Sequence, residues 1–200
     1  MSIKTKTIKL AILIANPQIL FSKKKYLFVV SHMRSRSSVL SHILGNNPEV
    51  IGYKELHQAY KGKKSLINMQ IELAKDLKPN FKNKYLLDKI LNNYTISDAI
   101  LKKVQPKMLF LLRDPEETIK SIINMGFKTG VAQYKDPIKV TAYYCKRLRN
   151  LEQLSYKAGK GHLFIESIDL VENSEGTLNK ISNWLNLESR LKTTYTTFKD

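Results

Sequence analysis

The stretch Tyr26-Leu27-Phe28-Val29-Val30-Ser31-His32-Met33-Arg34-Ser35-Arg36-Ser37-Ser38-Val39-Leu40 decides the fold. Its first five residues are apolar without alternation, as in a parallel strand covered on both faces. Val39, Leu40, Ile43 and Leu44 then recur at helical spacing, and Gly45 and Pro48 stop the helix. A strand, a tight loop and a helix N-terminus make an anion seat from backbone N–H groups and the helix dipole. From Ser31 to Ser38 the loop adds two guanidiniums and four hydroxyls. Arginine is a planar donor suited to pairs of phosphate or sulfate oxygens. A polar loop that merely caps its helix needs no such run, so anion binding is the favoured reading.

Outward from this stretch, short apolar runs alternate with amphipathic ones. Val50 to Tyr53, Tyr85 to Leu87, Met108 to Leu112 and His162 to Ile165 read as further strands. Ser65 to Leu77, Ile96 to Val104, Pro137 to Tyr156 and Gly176 to Leu185 read as helices. Asp114-Pro115-Glu116-Glu117 opens one more: Asp114 caps, Pro115 suits the first helical position, and Glu117 completes a capping box. Such alternation implies a single α/β domain over residues 1–200, with a central parallel sheet flanked by helices and ligands beyond the carboxyl ends of its strands. Residues 1–25 supply a helical lead-in. The apolar run Leu10 to Phe21 is interrupted by Asn16 and Pro17 and is followed by Lys23, Lys24 and Lys25 rather than a cleavage site, so it reads as a short packed helix.

Composition narrows the function classes. A net charge of +17 invites a nucleic-acid partner. The basic residues nevertheless come in small scattered groups, whereas dedicated binders concentrate charge on one arm or face. Solvated surface is the favoured reading, and the excess charge draws an anionic small ligand toward its cleft. No stretch reaches the length of a membrane span. The single cysteine, Cys145, excludes an internal disulfide and fits a reducing compartment, so the cytoplasm is the expected location. His42 and His162 show no metal-ligand spacing with each other or with Cys145, and no metal is expected.

The loop is not that of a nucleoside triphosphatase. The pattern G-x-x-x-x-G-K-[ST] needs a lysine where Ser37 stands and a glycine where Arg36 stands. A nucleotide kinase on this fold would lack its main positioning charge. Phe28 to Leu44 instead resembles the 5'-phosphosulfate loop of sulfotransferases that use 3'-phosphoadenosine 5'-phosphosulfate (PAPS), whose bacterial members often read R-S-x-S-[ST]-x-L. Leu111-Leu112-Arg113-Asp114-Pro115-Glu116-Glu117-Thr118-Ile119-Lys120-Ser121 resembles their second signature, an R-[DN]-P turn with a serine eight residues after the arginine. Phe164 to Leu187 is similar to their last strand, acidic residue and helix, and reads as fold-building rather than part of the site.

The resemblance implies a P-loop-like three-layer fold and a sulfuryl transfer from PAPS to a hydroxyl or amine acceptor. Arg34, Ser35, Arg36, Ser37 and Ser38 are then expected at the phosphosulfate, and Arg113 with Ser121 at the 3'-phosphate. Glu55 follows the predicted second strand, as does the carboxylate base of similar enzymes. An acceptor hydroxyl is a poor nucleophile until a base within reach removes its proton. His57 is the rival base, since some branches of the family use histidine, and a surface role for both stays open. Lys89 resembles the lysine of an Asp-Lys-[ST]-Pro motif that steadies the transferring group. Ile90 and Leu91 replace the hydroxyl residue and proline, so that match is partial. A catalytically silent PAPS-binding protein and a basic nucleic-acid binder are the alternatives. Similar sulfotransferases end in a glycine-containing basic lid; here Leu191 to Asp200 begins such a segment and contains no glycine. The reading expects an open donor site, unless Lys192 and Lys199 fold back over it or the chain is incomplete. The acceptor and the oligomeric state are not legible.

Overall fold

The computed structural model describes residues 3–21, 24–77, 80–91 and 93–198. Five strands, β1 (Lys25–Ser31), β2 (Val50–Ile51), β3 (Tyr85–Ile90), β4 (Lys107–Leu112) and β5 (Leu163–Glu166), form one sheet in the order β2-β3-β1-β4-β5. Every pairing is parallel. The helices are α1 (Ile3–Ala15), α2 (Gln18–Phe21), α3 (Ser37–Gly45), α4 (Lys63–Leu77), α5 (Asp98–Val104), α6 (Pro115–Thr129), α7 (Pro137–Ala158), α8 (Asp169–Glu172) and α9 (Ser174–Leu185).

Successive strand residues point to opposite faces of a sheet, so a strand covered on both must be apolar at every position. Phe28, Val30, Leu86, Ile90, Met108 and Phe110 meet Leu66, Met69, Ile100, Leu101 and Leu151 of α4, α5 and α7. Leu27, Val29, Leu87, Leu109 and Leu111 meet Leu40, Ile43, Leu44, Leu178, Ile181 and Leu185 of α3 and α9. Two cores thus sandwich the sheet. Its central strand β1 has β3 on one side and β4 on the other, and the crevice for a ligand opens where connections leave β1 in opposite directions.

Element boundaries shift for identifiable reasons. β2 stops after Ile51 because Gly52 takes a φ of 109° against β3, where an added Cβ would lie 2.4 Å from the Leu87 carbonyl oxygen. β3 runs past Leu87 to Ile90, taking in Asp88 and Lys89, which are buried despite their charge. Lys89 therefore lies within a strand rather than following one. α5 begins at Asp98, because Ile96 is bridged to Tyr60 and Ser97 caps the helix by accepting from the Ile100 N–H. The N-terminal apolar run breaks at Asn16-Pro17 into α1 and α2, and α1 packs on α4, with Lys9 Nζ donating to Asn68 Oδ1 at 3.1 Å.

Candidate functional site

The loop after β1 is unusual in its backbone. Arg34 and Arg36 both lie in the left-handed region, with φ of 63° and 65°. For a non-glycine residue this costs about 1–2 kcal/mol. Arg36 stands where a nucleotide-binding loop would carry glycine, so the turn is kept and a guanidinium is added. Arg36 is also the N-cap of α3, and its side chain makes no capping bond there, which leaves the first helical turn facing the crevice.

Beneath the loop lies a set of buried hydroxyls. Ser31 and Ser35 are both fully buried, with Oγ atoms 2.6 Å apart, and Ser31 donates to the Leu111 carbonyl of β4. Since Ser31 has one proton to give, the Ser35 hydroxyl donates to Ser31. Ser35 thus ties the loop to the sheet by its side chain. Ser37 is buried and Ser38 exposed, and Lys89 Nζ donates to Ser38 Oγ at 3.1 Å. The structure so brings Lys89 to the loop.

The second anion motif converges on the same loop. Arg113 N–H donates to His32 Nε2 at 3.1 Å, and Arg113 Nη1 donates to the Arg34 carbonyl at 3.0 Å. His32 Nδ1 lies 2.9 Å from the Met33 carbonyl, so Nδ1 carries the proton and Nε2 accepts. Burial holds this imidazole down at about 4, keeping it neutral as the bridge requires. Arg34 Nε reaches Ser121 Oγ at 3.0 Å. The Arg34 guanidinium therefore sits with the residues expected at the 3'-phosphate, joining two sets that the sequence reading kept apart.

Glu117 is the local counter-charge. Its Oε2 accepts from Arg113 Nε at 2.8 Å and lies 3.7 Å from Arg36 Nη2. The expected capping box is half formed, because the Glu117 amide takes Asp114 Oδ1 while its carboxylate turns to the arginines. A solvent-facing pair of this kind is worth about 0–1 kcal/mol.

Arg36 Nη1 also donates to Ser167 Oγ at 3.1 Å. This corrects the reading of the Phe164 to Leu187 region as fold alone. Glu166, Ser167 and Ile168 join Arg36, Arg113, Asp114 and Glu117 and the apolar Leu112, Tyr144, Leu148 and Phe164 around a cleft of about 450 Å³.

On the other side of the loop, Glu55 is recessed, its side chain 12% exposed, while that of His57 is 64% exposed and lies 3.5 Å from Glu55 Oε1. The Glu55 charge is felt by Arg147, Tyr143 and Asp88. Arg147 is buried and donates to the Ser31 and Ile90 carbonyls, each at 2.8 Å, where β1 and β3 end. Tyr143 accepts from the Met33 N–H of the loop at 3.3 Å. Sequence reasoning missed His32, Asp88, Arg147 and Ser167. Arg147 carries a signal: it shares the buried stripe of α7 with Val140, Tyr144 and Leu151, an arginine where the helical period calls for an apolar residue.

The described tail follows a different course from a donor lid. Asn46 and Thr196 exchange two hydrogen bonds, Phe198 N–H donates to His42 Nδ1, and Phe198 stacks on Tyr53 with centroids 4.3 Å apart. Lys192 lines a groove with Asn46 and Asn47 at the C-terminal end of α3. Nine residues of helix separate it from the anion loop, roughly 13 Å along the axis. Lys199 lies outside the described residues.

Among the described residues no group of three or more His, Cys, Asp or Glu side chains is gathered to hold a metal ion, and no helix is long and apolar enough to cross a membrane.

With fold and crevice established, comparison with solved structures shows what the fold is shared with. The chain, with its all-parallel five-stranded sheet between helical layers, shares its fold with solved sulfotransferases. The mouse sulfotransferase SULT7A1 complexed with PAP superposes with a TM-score of 0.58 at 15% identity, over 92% of this chain and 66% of that one. The sulfotransferase STF1 from Mycobacterium tuberculosis gives 0.58 at 11% identity, over 90% and 72%. A retinol dehydratase in complex with androsterone and inactive cofactor PAP gives 0.52 at 14%, over 94% and 66%. The chain thus spans about two thirds of the length of the mouse enzyme and the dehydratase. No family model and no curated protein sequence matches the chain.

Proposed function

We propose that the protein is a sulfotransferase that binds PAPS across the carboxyl ends of β1 and β4 and transfers its sulfuryl group to a hydroxyl or amine acceptor. The observation that carries this reading is the convergence of two anion motifs in one crevice. Arg34 bonds Ser121, Arg113 bonds the Arg34 carbonyl, and Arg36 shares the Glu117 carboxylate with Arg113. Cations gathered this closely repel one another, and a multiply charged anion relieves that cost.

The first turn of α3, Arg36, Ser37 and Ser38 suit the phosphosulfate, with Lys89 beneath Ser38. Arg34, Arg113 and Ser121 suit the 3'-phosphate, and the cleft beside Phe164 and Tyr144 suits a base. Glu55 takes the acceptor proton as the acceptor attacks sulfur in line. The new bond joins acceptor and sulfur, and the S–O bond to the 5'-phosphate breaks. Adenosine 3',5'-bisphosphate leaves, and Glu55 returns its proton to solvent. His57, exposed beside Glu55, is the rival base. Lys89 and the loop cations stabilise charge that develops on the leaving phosphate, a role that needs no metal.

The test is release of bisphosphate from PAPS with p-nitrophenol, simple alcohols and amines as acceptors. Wild type should exceed Glu55→Gln by about a hundredfold with at least one acceptor. Tight bisphosphate binding with no release under any condition would leave a silent binding protein and overturn the enzyme reading.

A further inference from the structure

The run from Tyr53 to Gln58 carries Glu55 and His57 yet belongs to no helix or strand. Gly52 turns it out of the sheet, and at Tyr60 it is secured again, through Tyr60 N–H to Thr95 O and Ser97 N–H to Tyr60 O, both 2.8 Å. Between these ends one side chain of β3 grips it twice. Asp88 Oδ1 accepts from the Leu56 N–H at 2.9 Å, and Oδ2 accepts from the Tyr60 hydroxyl at 2.5 Å. The Lys89 N–H adds a 3.4 Å bond to Lys54 O.

Asp88 is a costly residue at this position. It is 1% exposed, and desolvation pushes its carboxyl up to about 7 against the pull of the Tyr60, Leu56 and Lys89 donors. Its neighbours Leu86 and Leu87 show that an apolar side chain suits this strand. A carboxylate here gives little to stability and much to geometry, since it fixes the residue directly after Glu55 to the strand whose next residue, Lys89, bonds the anion loop.

We propose that Asp88 is a positioning residue, a latch that holds the 53–60 segment on β3 through Leu56 N–H and Tyr60 Oη and thereby fixes Glu55 relative to the donor loop. The proposal rests on the reading of Glu55 as base. It makes Asp88 act through Glu55, with no contact to either substrate.

The experiment compares wild type, Asp88→Ala and Asp88→Asn by amide hydrogen exchange over residues 53–60, calorimetric affinity for adenosine 3',5'-bisphosphate, and turnover of PAPS. Asp88→Ala should exchange faster in that segment, keep bisphosphate affinity within about twofold, and lose about tenfold to a hundredfold in turnover with an unchanged donor KM. Asp88→Asn keeps an acceptor for Leu56 N–H and should recover much of that rate. On a Glu55→Gln background Asp88→Ala should cost nothing further. Unchanged exchange over 53–60, a loss of bisphosphate affinity that tracks turnover, or a fully additive double mutant would each overturn the latch. If Asp88→Ala fails to fold, Tyr60→Phe removes one of the two bonds without opening a void; wild-type exchange and turnover in that variant would overturn it equally. Absence of transfer by wild type overturns the enzyme reading alone, because exchange still reports on the latch.

Discussion

The donor side of the crevice and the segment that carries Glu55 are built by opposite means. Residues 31–38 and 113–121 sit at two strand-to-helix junctions, cross-braced by Ser31 with Ser35 and the Leu111 carbonyl, by Arg113 with His32 and the Arg34 carbonyl, and by Arg34 with Ser121. Residues 53–59 form no helix or strand, and the buried Asp88 carboxylate ties them to β3 through Leu56 and Tyr60, beside the Lys89 N–H to Lys54 O bond and the Tyr53–Phe198 stacking. An anion seat is a local property of a helix start, whereas a proton acceptor must be placed from a distance. The two halves should therefore fail separately.

The largest expected effect breaks chemistry alone. Glu55→Gln should cut turnover about a hundredfold or more, with calorimetric bisphosphate affinity near wild type. If Glu55→Gln stays active while His57→Ala loses its activity, the base is His57. The next effect breaks binding. Arg34→Ala removes charge-assisted contacts worth about 1.5–3 kcal/mol, so bisphosphate affinity should fall about 10- to 150-fold. An unchanged dissociation constant in a folded variant would remove the loop from the donor site.

A third prediction sharpens the contrast through pH. Asp88 has a folded pKa raised to about 7, so the folded state holds a proton that the unfolded state has released; its contribution is full below about pH 4 and is lost as pH rises to about 7. His32 has a folded pKa lowered to about 4, so its contribution is present above its ordinary value and is lost as pH falls through the window below it. The two oppose each other across much of that range. Asp88→Asn should gain stability relative to wild type between about pH 5 and about pH 8, on the order of 2–4 kcal/mol. Parallel urea titrations of the two proteins at those pH values with no relative gain would contradict the burial of Asp88 as a carboxylate. The smallest effect concerns the tail. Removing residues 192–200 should change bisphosphate affinity by less than about threefold, since the described tail lies along α3 and Tyr53. Affinity that collapses on truncation would show a lid after all.

The sequence carried the donor side well because its signals are local. An unbroken apolar strand, a run of serine and arginine and an Asp-Pro helix start lie within a few residues of one another. The two junctions appear where expected, and so does the parallel sheet. The rest depended on contacts distant in sequence. Nothing near Asp88 tells that Leu56 and Tyr60 will reach it, and its charge made β3 look shorter than it is. His32 reads as one polar loop residue until Arg113, far along the chain, donates to it. Ser167 was assigned to the scaffold because only Arg36, across the sheet, makes it part of the crevice. Arg147 alone was within reach of periodicity.

The central claim is that one crevice holds both phosphates of the donor, and calorimetry with adenosine 3',5'-bisphosphate against adenosine 5'-monophosphate tests it most directly. Wild type should prefer the bisphosphate strongly, and the preference should weaken as salt screens the exposed cations. Arg113→Ala should erase most of that preference while monophosphate binding persists. Equal affinity of wild type for the two nucleotides would contradict a PAPS site at Arg34, Arg113 and Ser121.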